Sequence, residues 1–136
     1  AMALISLQQL KVVEDMLQQI RESIRNLELW NEPYTDLNEM LSSPDGVKTL
    51  AADCMLIEAI GEGFRKIDER TCEQLLSSRP EIPWKGVKGM RNHIAHGYFD
   101  LNYEMIWDGV KNDLPPLRDA VEYFLENLYK IVPFDE

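Results

Sequence analysis

Between Leu4 and Trp30 the chain places Leu4, Leu7, Leu10, Val13, Leu17, Ile20, Ile24 and Leu27 at intervals of three or four, with no glycine or proline among them. That spacing lays an apolar stripe along one side of a helix of about seven turns. Pro33 marks its stop. A helix this long with one apolar side must be covered by other elements, and no convincing strand pattern follows anywhere in the 136 residues. The constraint is therefore helix on helix, in a single domain spanning 1–136.

The partners of this helix are marked by their ends. Ser43-Pro44-Asp45 reads as N-cap, first helical residue and first-turn acid. Val47, Leu50, Cys54, Ile57, Phe64 and Ile67 then follow at helical spacing, which predicts a second long helix from about Pro44 to about Asp68. Gly61 and Gly63 fall inside it and imply that a neighbour approaches closely. Thr71 with Gln74 resembles a capping box ahead of a short helix or turn. Pro80 and Pro83 bracket an extended stretch. Trp84 to His96 predicts a third helix with Gly97 at its C′ position. Asn102 caps a fourth, from Tyr103 to about Asp113, and Pro115 opens a last one to about Ile131. The expected architecture is an all-α up-down bundle of four to five helices.

Two cysteines, Cys54 and Cys72, form no CxxC pair and no Cys/His cluster, which argues against a structural zinc site or a disulfide framework and fits a reducing cytoplasm. No run of about 18 apolar residues suggests a membrane span, and no basic segment followed by an apolar run suggests a leader. The net charge is −10, which opposes long-range attraction to nucleic acid. One segment runs against it. From Arg79 to Tyr98, Arg79, Lys85, Lys88 and Arg91 stand against Glu81 alone, and both histidines, His93 and His96, lie inside.

This basic segment ends in Met90-Arg91-Asn92-His93-Ile94-Ala95-His96-Gly97-Tyr98. On a helix, Asn92 and His96 share a face, and the long side chain of Arg91 can swing toward His96. An imidazole titrating near neutrality can take or give a proton. A guanidinium fork binds a phosphate and stabilises charge developing on it. Asn92 can orient the imidazole or add a donor. Together these groups suit cleavage of an RNA phosphodiester with the ribose 2′-OH as nucleophile, a chemistry that requires no metal. Taken alone, an Arg and a His on one helix are more often surface or capping groups, and His93, on another face, has an ordinary surface or packing role.

The run Arg91-Asn92-x-x-x-His96-x-Tyr98 resembles the Arg-x4-His-x-Tyr signature of the HEPN superfamily, and more closely the HepT-like toxins of prokaryotic nucleotidyltransferase toxin–antitoxin pairs. Ile60-Gly61-Glu62, Pro80-Glu81-Ile82-Pro83-Trp84, Gly89-Met90-Arg91-Asn92, Tyr98-Phe99, Ile106-Trp107 and Asp113-Leu114-Pro115 extend the likeness from about Ile57 to Leu117. Before that, the first 45 residues match only in helical character. The resemblance implies a HEPN-like bundle whose antiparallel homodimer sets two Arg/His pairs in one cleft. It implies a metal-independent endoribonuclease of a type VII-like toxin–antitoxin system, with Arg91 and His96 catalytic and Asn92 supporting. It also implies an antitoxin nucleotidyltransferase that silences the enzyme by adding AMP to Tyr98. ATP and magnesium would serve that partner, so this chain itself carries no cofactor. Gly97 departs from the acidic or larger residue common at that position.

Glu58 and Glu62 share a helix face four residues apart. Glu58 reads as a solvated or helix-pairing edge, whereas Glu62, inside the family-like run, is a supporting residue able to hold Arg91. Tyr34, Tyr103, Tyr123 and Tyr129 read as packing or rim aromatics, Trp84 and Trp107 as core anchors, and Met16 and Met55 as core or interface filler. An alternative is a catalytically weak dimer of the same fold that binds the nucleotidyltransferase or nucleotides. A third reading is a structural helical adaptor.

Overall fold

In a computed structural model, residues 3–95 and 102–135 are described, those from 91 to 95 by their helical backbone. Ser6 starts the first long helix, α1 (Leu7–Asn31): its Oγ accepts a hydrogen bond from the Gln9 amide at 3.1 Å, satisfying one of the amides that a helix start leaves unpaired. The apolar stripe does what its spacing requires. Leu10, Val13, Leu17, Ile20, Ile24 and Leu27 are all buried. Leu4 is not part of it. It lies ahead of the helix and is 64% exposed, while Ile5–Ser6 (β1) pair in parallel with Phe134–Asp135 (β2), the short strand pairing that the sequence does not announce.

A five-residue helix, α2 (Leu37–Leu41), leads into α3 (Pro44–Arg70), which begins as its sequence indicates: Ser43 Oγ accepts from the Gly46 amide at 3.0 Å. Gly46 is required here, because a Cβ at this position would lie 1.8 Å from the Met40 carbonyl oxygen. A Cβ on Gly63 would lie 3.0 Å from Ile20 Cδ1, so this glycine marks the close approach of α3 to α1. Val47, expected inward, is instead exposed.

The end of α3 corrects the Thr71–Gln74 reading. Thr71 is fully buried, and its Oγ1 donates back to the Ile67 carbonyl at 2.9 Å. It closes α3 and caps no new helix. Cys72 and Glu73 then take left-handed backbone, φ 51° and 61°, which turns the chain toward a single 3-10 turn at Leu76–Ser78.

Helix α4 (Trp84–Ala95) packs on α3, and α5 (Tyr103–Asp108) starts at Asn102, whose Oδ1 accepts from the Met105 amide. Pro115 stands in the first turn of the last helix, as expected, but no break precedes it. A π turn over Gly109–Asp113 joins α5 to α6 (Leu114–Ile131) with helical backbone throughout. Pro115 and Pro116 donate no hydrogen bond, and proline rings collide with carbonyls four residues back. The wider π turn is where that conflict is absorbed.

α1 lies between α3 and α6. It runs antiparallel to α3, since Asn31 meets Asp53 while Arg70 meets Gln9. It is antiparallel to α6 too, with Arg118 bonded to Glu28 and Arg21 paired with Glu122. The central core joins the α1 stripe to Ile60, Phe64 and Ile67 of α3 and to Leu117, Val121, Phe124 and Leu128 of α6. The architecture is the all-α bundle expected.

Candidate active site

α4 carries the chemistry-bearing run, and three contacts fix how it sits. Trp84 stacks at 5.0 Å from Phe64 and 5.8 Å from Phe124. Its indole Nε1 donates to the Arg79 carbonyl at 2.9 Å. One turn on, Lys88 Nζ bonds Asp68 Oδ2 at 2.7 Å. The helix backbone continues from Lys88 through Arg91. Asn92 and His93 follow on the same helix backbone. His96 and Tyr98 lie outside the described residues, as do the side chains of Arg91, Asn92 and His93.

Glu62 stands on α3, half-buried. Its two carboxylate oxygens accept from Arg65, Oε1 from Nη2 at 2.7 Å and Oε2 from Nε at 3.1 Å. Arg65 also donates to Glu69 Oε2 at 3.2 Å, and the hydrogen bond it makes to Glu62 pushes its pKa further up. The carboxylate is thus held in one orientation by a cation one turn along its own helix, a partner that the i, i+3 spacing makes visible in the sequence. The expected Glu62–Arg91 pair lies outside the described side chains. Glu58 and Glu62 line a shallow open groove with Met55 and Ala59.

Beside α4 runs an apolar groove of about 550 Å³, bounded by Ile57 and Ile60 of α3, Val87 and Met90 of α4, and Val110 and Leu117. Both tryptophans are half-buried and packed on a core as expected, Trp84 on the central one and Trp107 on a second made by Met40, Leu50, Cys54 and Ile106; Trp107 also carries Lys111 Nζ 4.8 Å from its ring centre.

A second polar cluster was not foreseen. Asp53 is 1% exposed and Asn31 2%. Asn31 Nδ2 donates to Asp53 Oδ1 at 2.7 Å and to the Leu27 carbonyl at 2.8 Å. Lys111, on the π turn, donates to the carbonyls of Asn31 and Tyr34, both at 2.8 Å. It places a cation where the α1 macrodipole is negative and the last carbonyls lack amide partners. Burial pushes the Asp53 carboxyl up to about 6 from 3.8, against the Asn31 hydrogen bond and the Lys111 charge, which lower it. Burial, and then the Asp53 charge, push the Cys54 thiol up to about 11, so it is a poor nucleophile at neutral pH. The signal was present in the sequence: Asp53 lies three residues after Leu50 and four before Ile57, on the apolar side of its helix.

The ribonuclease HepT-like family model matches residues 13–124, a stretch that holds α4 and the whole Arg91–Tyr98 run. The chain belongs to that family. Among its HepT-like relatives, a Methanocaldococcus jannaschii protein whose name carries RNase is 33% identical over 81 residues, 60% of this chain and 64% of the relative. Another RNase-named protein of that organism is 38% identical over 66 residues, 48% of this chain and 57% of the relative. The "Probable ribonuclease HepT" of Thermococcus cleftensis is 33% identical over 75 residues, 55% of this chain and 64% of the relative. The chain thus spans about three fifths of the curated relatives it matches. No solved structure matches it significantly.

Proposed function

We propose that this chain is a metal-independent endoribonuclease that acts as a homodimer in the cytoplasm, with Arg91 and His96 as its catalytic pair. The observation that carries the reading is the Arg91-Asn92-x-x-x-His96-x-Tyr98 run, which begins on a helix locked to the core by Trp84 and Lys88 and lies inside the residues matched by the HepT-like family. One imidazole cannot efficiently both deprotonate a 2′-OH and protonate the departing oxygen. Two copies supply two. His96 of one copy takes the 2′-OH proton, and the oxygen attacks the adjacent phosphorus. The other copy's imidazole protonates the 5′-oxygen as the P–O bond breaks, leaving a 2′,3′-cyclic phosphate and a 5′-hydroxyl. The guanidinium of Arg91 stabilises the charge on the phosphoryl oxygens in passage. Asn92 and Glu62 act in support. RNA is met by the locally basic segment, since the net charge of −10 repels it at long range.

A nucleotidyltransferase antitoxin controls the enzyme by attaching AMP to Tyr98, two residues past His96. The added phosphate competes for the Arg91 fork.

The test is cleavage of a labelled RNA by purified wild type, Arg91→Ala and His96→Ala, with circular dichroism to show that each variant is folded. Each substitution should abolish cleavage, and wild-type cleavage should persist in EDTA. Wild-type-like cleavage by either folded variant, or activity lost in chelator and restored by magnesium, refutes the assignment.

A further inference from the structure

The apolar groove beside α4 has no part in the chemistry above, yet it reaches the site. Val87 and Met90 form its α4 wall, and Met90 is the residue before Arg91. At about 550 Å³ it lies in the range of clefts that hold small organic ligands. Ile57, Ile60 and Leu117 make it apolar, while Gly86 and Gly109 line it with bare backbone. Gly86 is exposed, and a Cβ there would meet no described atom within 4 Å.

The rim is acidic. Glu81 and Asp113 both border the groove. Glu81 is committed, because its two oxygens accept from Arg79 Nε at 3.2 and 3.0 Å. Asp113 is not. It ends the π turn in the N-cap position of α6, where an aspartate ordinarily accepts from an amide of the helix that follows. Here the helical backbone runs on through it, its side chain makes no capping hydrogen bond, and it pairs with no cation among the described residues. Its Oδ2 lies over Gly109, 3.9 Å from where a Cβ would stand. An exposed carboxylate is thus left over at the edge of an apolar cleft.

This combination selects one part of a nucleotide. A negative rim repels phosphate, whereas apolar walls stack on the flat face of a base. A carboxylate only accepts, so it sorts bases by their donors. On its Watson–Crick edge, adenine or cytosine sets one amine beside an acceptor nitrogen, and uracil sets one N–H between two carbonyls. Guanine alone presents two donors side by side, N1–H and the N2 amine, which match the two oxygens of one carboxylate.

We infer that the groove holds a guanine of the RNA substrate, from a nucleotide flanking the scissile phosphate, with N1–H and the N2 amine donating to Asp113. The inference rests on the ribonuclease reading above and gives it a base preference. Because the groove reaches Met90, the phosphate of a nucleotide seated in it falls at the Arg91 end of α4. Asp113 touches the base and not the reacting atoms, so it sets which bond is cut and not how.

The test has two arms. In the first, GMP, AMP, CMP and UMP are titrated separately into the wild-type protein, and the methyl resonances of Ile57, Val87 and Val110 are followed by NMR. GMP should shift them and bind at least roughly 10-fold more tightly than the other three. In the second arm, cut sites are mapped on a labelled single-stranded RNA that contains every dinucleotide step. Cuts should fall beside guanine, always on the same side of it. Asp113→Asn turns one acceptor into a donor, which suits the other three bases better than guanine. Its kcat/KM at guanine should fall roughly 10- to 100-fold relative to the other sites, the discrimination a bidentate pair carries. Gly86→Phe fills the groove from an exposed helix position, and should abolish GMP binding and the guanine preference with circular dichroism unchanged. Selective GMP binding by a protein that cuts no RNA upholds the groove and refutes the nuclease reading. Cleavage without base preference, or a guanine preference that survives both substitutions, overturns the inference and leaves the nuclease reading standing. If no nucleotide moves the three methyls, the groove is not a base site, and a shift on dilution instead would show that a second copy fills it.

Discussion

Replacing Asp53 with asparagine should stabilise this protein at neutral pH and leave it nearly unchanged in acid. The carboxyl is 1% exposed, and burial lifts its pKa from 3.8 to about 6 in the folded chain. A folded pKa above the unfolded one means that the folded state favours the protonated form. The stability this group contributes is therefore complete below about pH 3.8 and is lost as pH rises through 6. By pH 7 the loss is about 3 kcal/mol, from a difference of about two pKa units at 1.36 kcal/mol each. Asparagine keeps the shape and never ionises. Its carbonyl can still accept from Asn31 Nδ2, and its amide can donate to Asn31 Oδ1, which is buried and has no hydrogen-bond partner among the described residues. Asp53→Asn should thus gain about 3 kcal/mol at pH 7, roughly 10 °C in Tm for a domain of this size, and close to nothing at pH 4. Thermal melts of both proteins at the two pH values measure it, because other titrating groups cancel in the comparison. Carbon-13 NMR of the Asp53 carboxyl should show a midpoint near 6. A variant less stable at pH 7 would show that the ionised carboxylate and Lys111 attract each other strongly enough to outweigh burial, and a gain equal at both pH values would show that the ionisation of Asp53 is not its cause; either result refutes the reasoning.

Gly46→Ala should cost about 2–3 kcal/mol in urea denaturation, because its Cβ would overlap the Met40 carbonyl and the α2–α3 junction must move. Trp84→Phe keeps the ring contacts with Phe64 and Phe124 but strands the Arg79 carbonyl, for about 1 kcal/mol and a Tm lower by a few degrees. Lys111→Met removes two hydrogen bonds from the end of α1 and the cation nearest Asp53, and should lower stability by about 2–4 kcal/mol at pH 7 but by less at pH 4, where Asp53 is neutral. Tyr98→Phe should keep most nuclease activity yet gain no AMP-sized mass increments when incubated with the nucleotidyltransferase and ATP. Increments on that variant would locate the modification elsewhere.

The parts of the fold legible in the sequence were those set by local period and local caps. Leu10 to Leu27 are spaced for burial and are buried. Ser43 before Pro44 is a helix start in both readings. What misled was chemistry with two structural meanings. Thr71 can begin a helix through its hydroxyl as acceptor or finish one through the same hydroxyl as donor, and only the preceding turn decides. Pro115 and Pro116 suit a helix start, but a π turn before them serves as well. Short strands such as Ile5–Ser6 carry no period at all; they exist because α6 delivers Phe134 beside them. At the candidate site, the sequence places Arg91 and Asn92 on a helix, and the backbone of α4 runs through both, whereas His96 and Tyr98 lie outside the described residues; the Glu62–Arg65 spacing was legible. The buried Asn31–Asp53–Lys111 cluster was not, because its members come from three distant stretches and only the packed bundle brings them together.

The position of α1 has a consequence for how the chain is made. α1 is translated before α3 and α6, the two helices that cover it, and Ile5 at its threshold waits for the Pro133 carbonyl, which it meets at 3.0 Å. At about 5–20 residues per second, the side of α1 that faces α6 stays wet for roughly 5–20 s after Asn31 has been added. During that interval part of the apolar stripe from Leu10 to Leu27 stays open to whatever holds unfinished proteins, and a chain truncated before α6 would keep presenting it. Truncated products should therefore be cleared or aggregate, so that a nuclease site on α4 would gain a rigid scaffold only in a chain completed through α6.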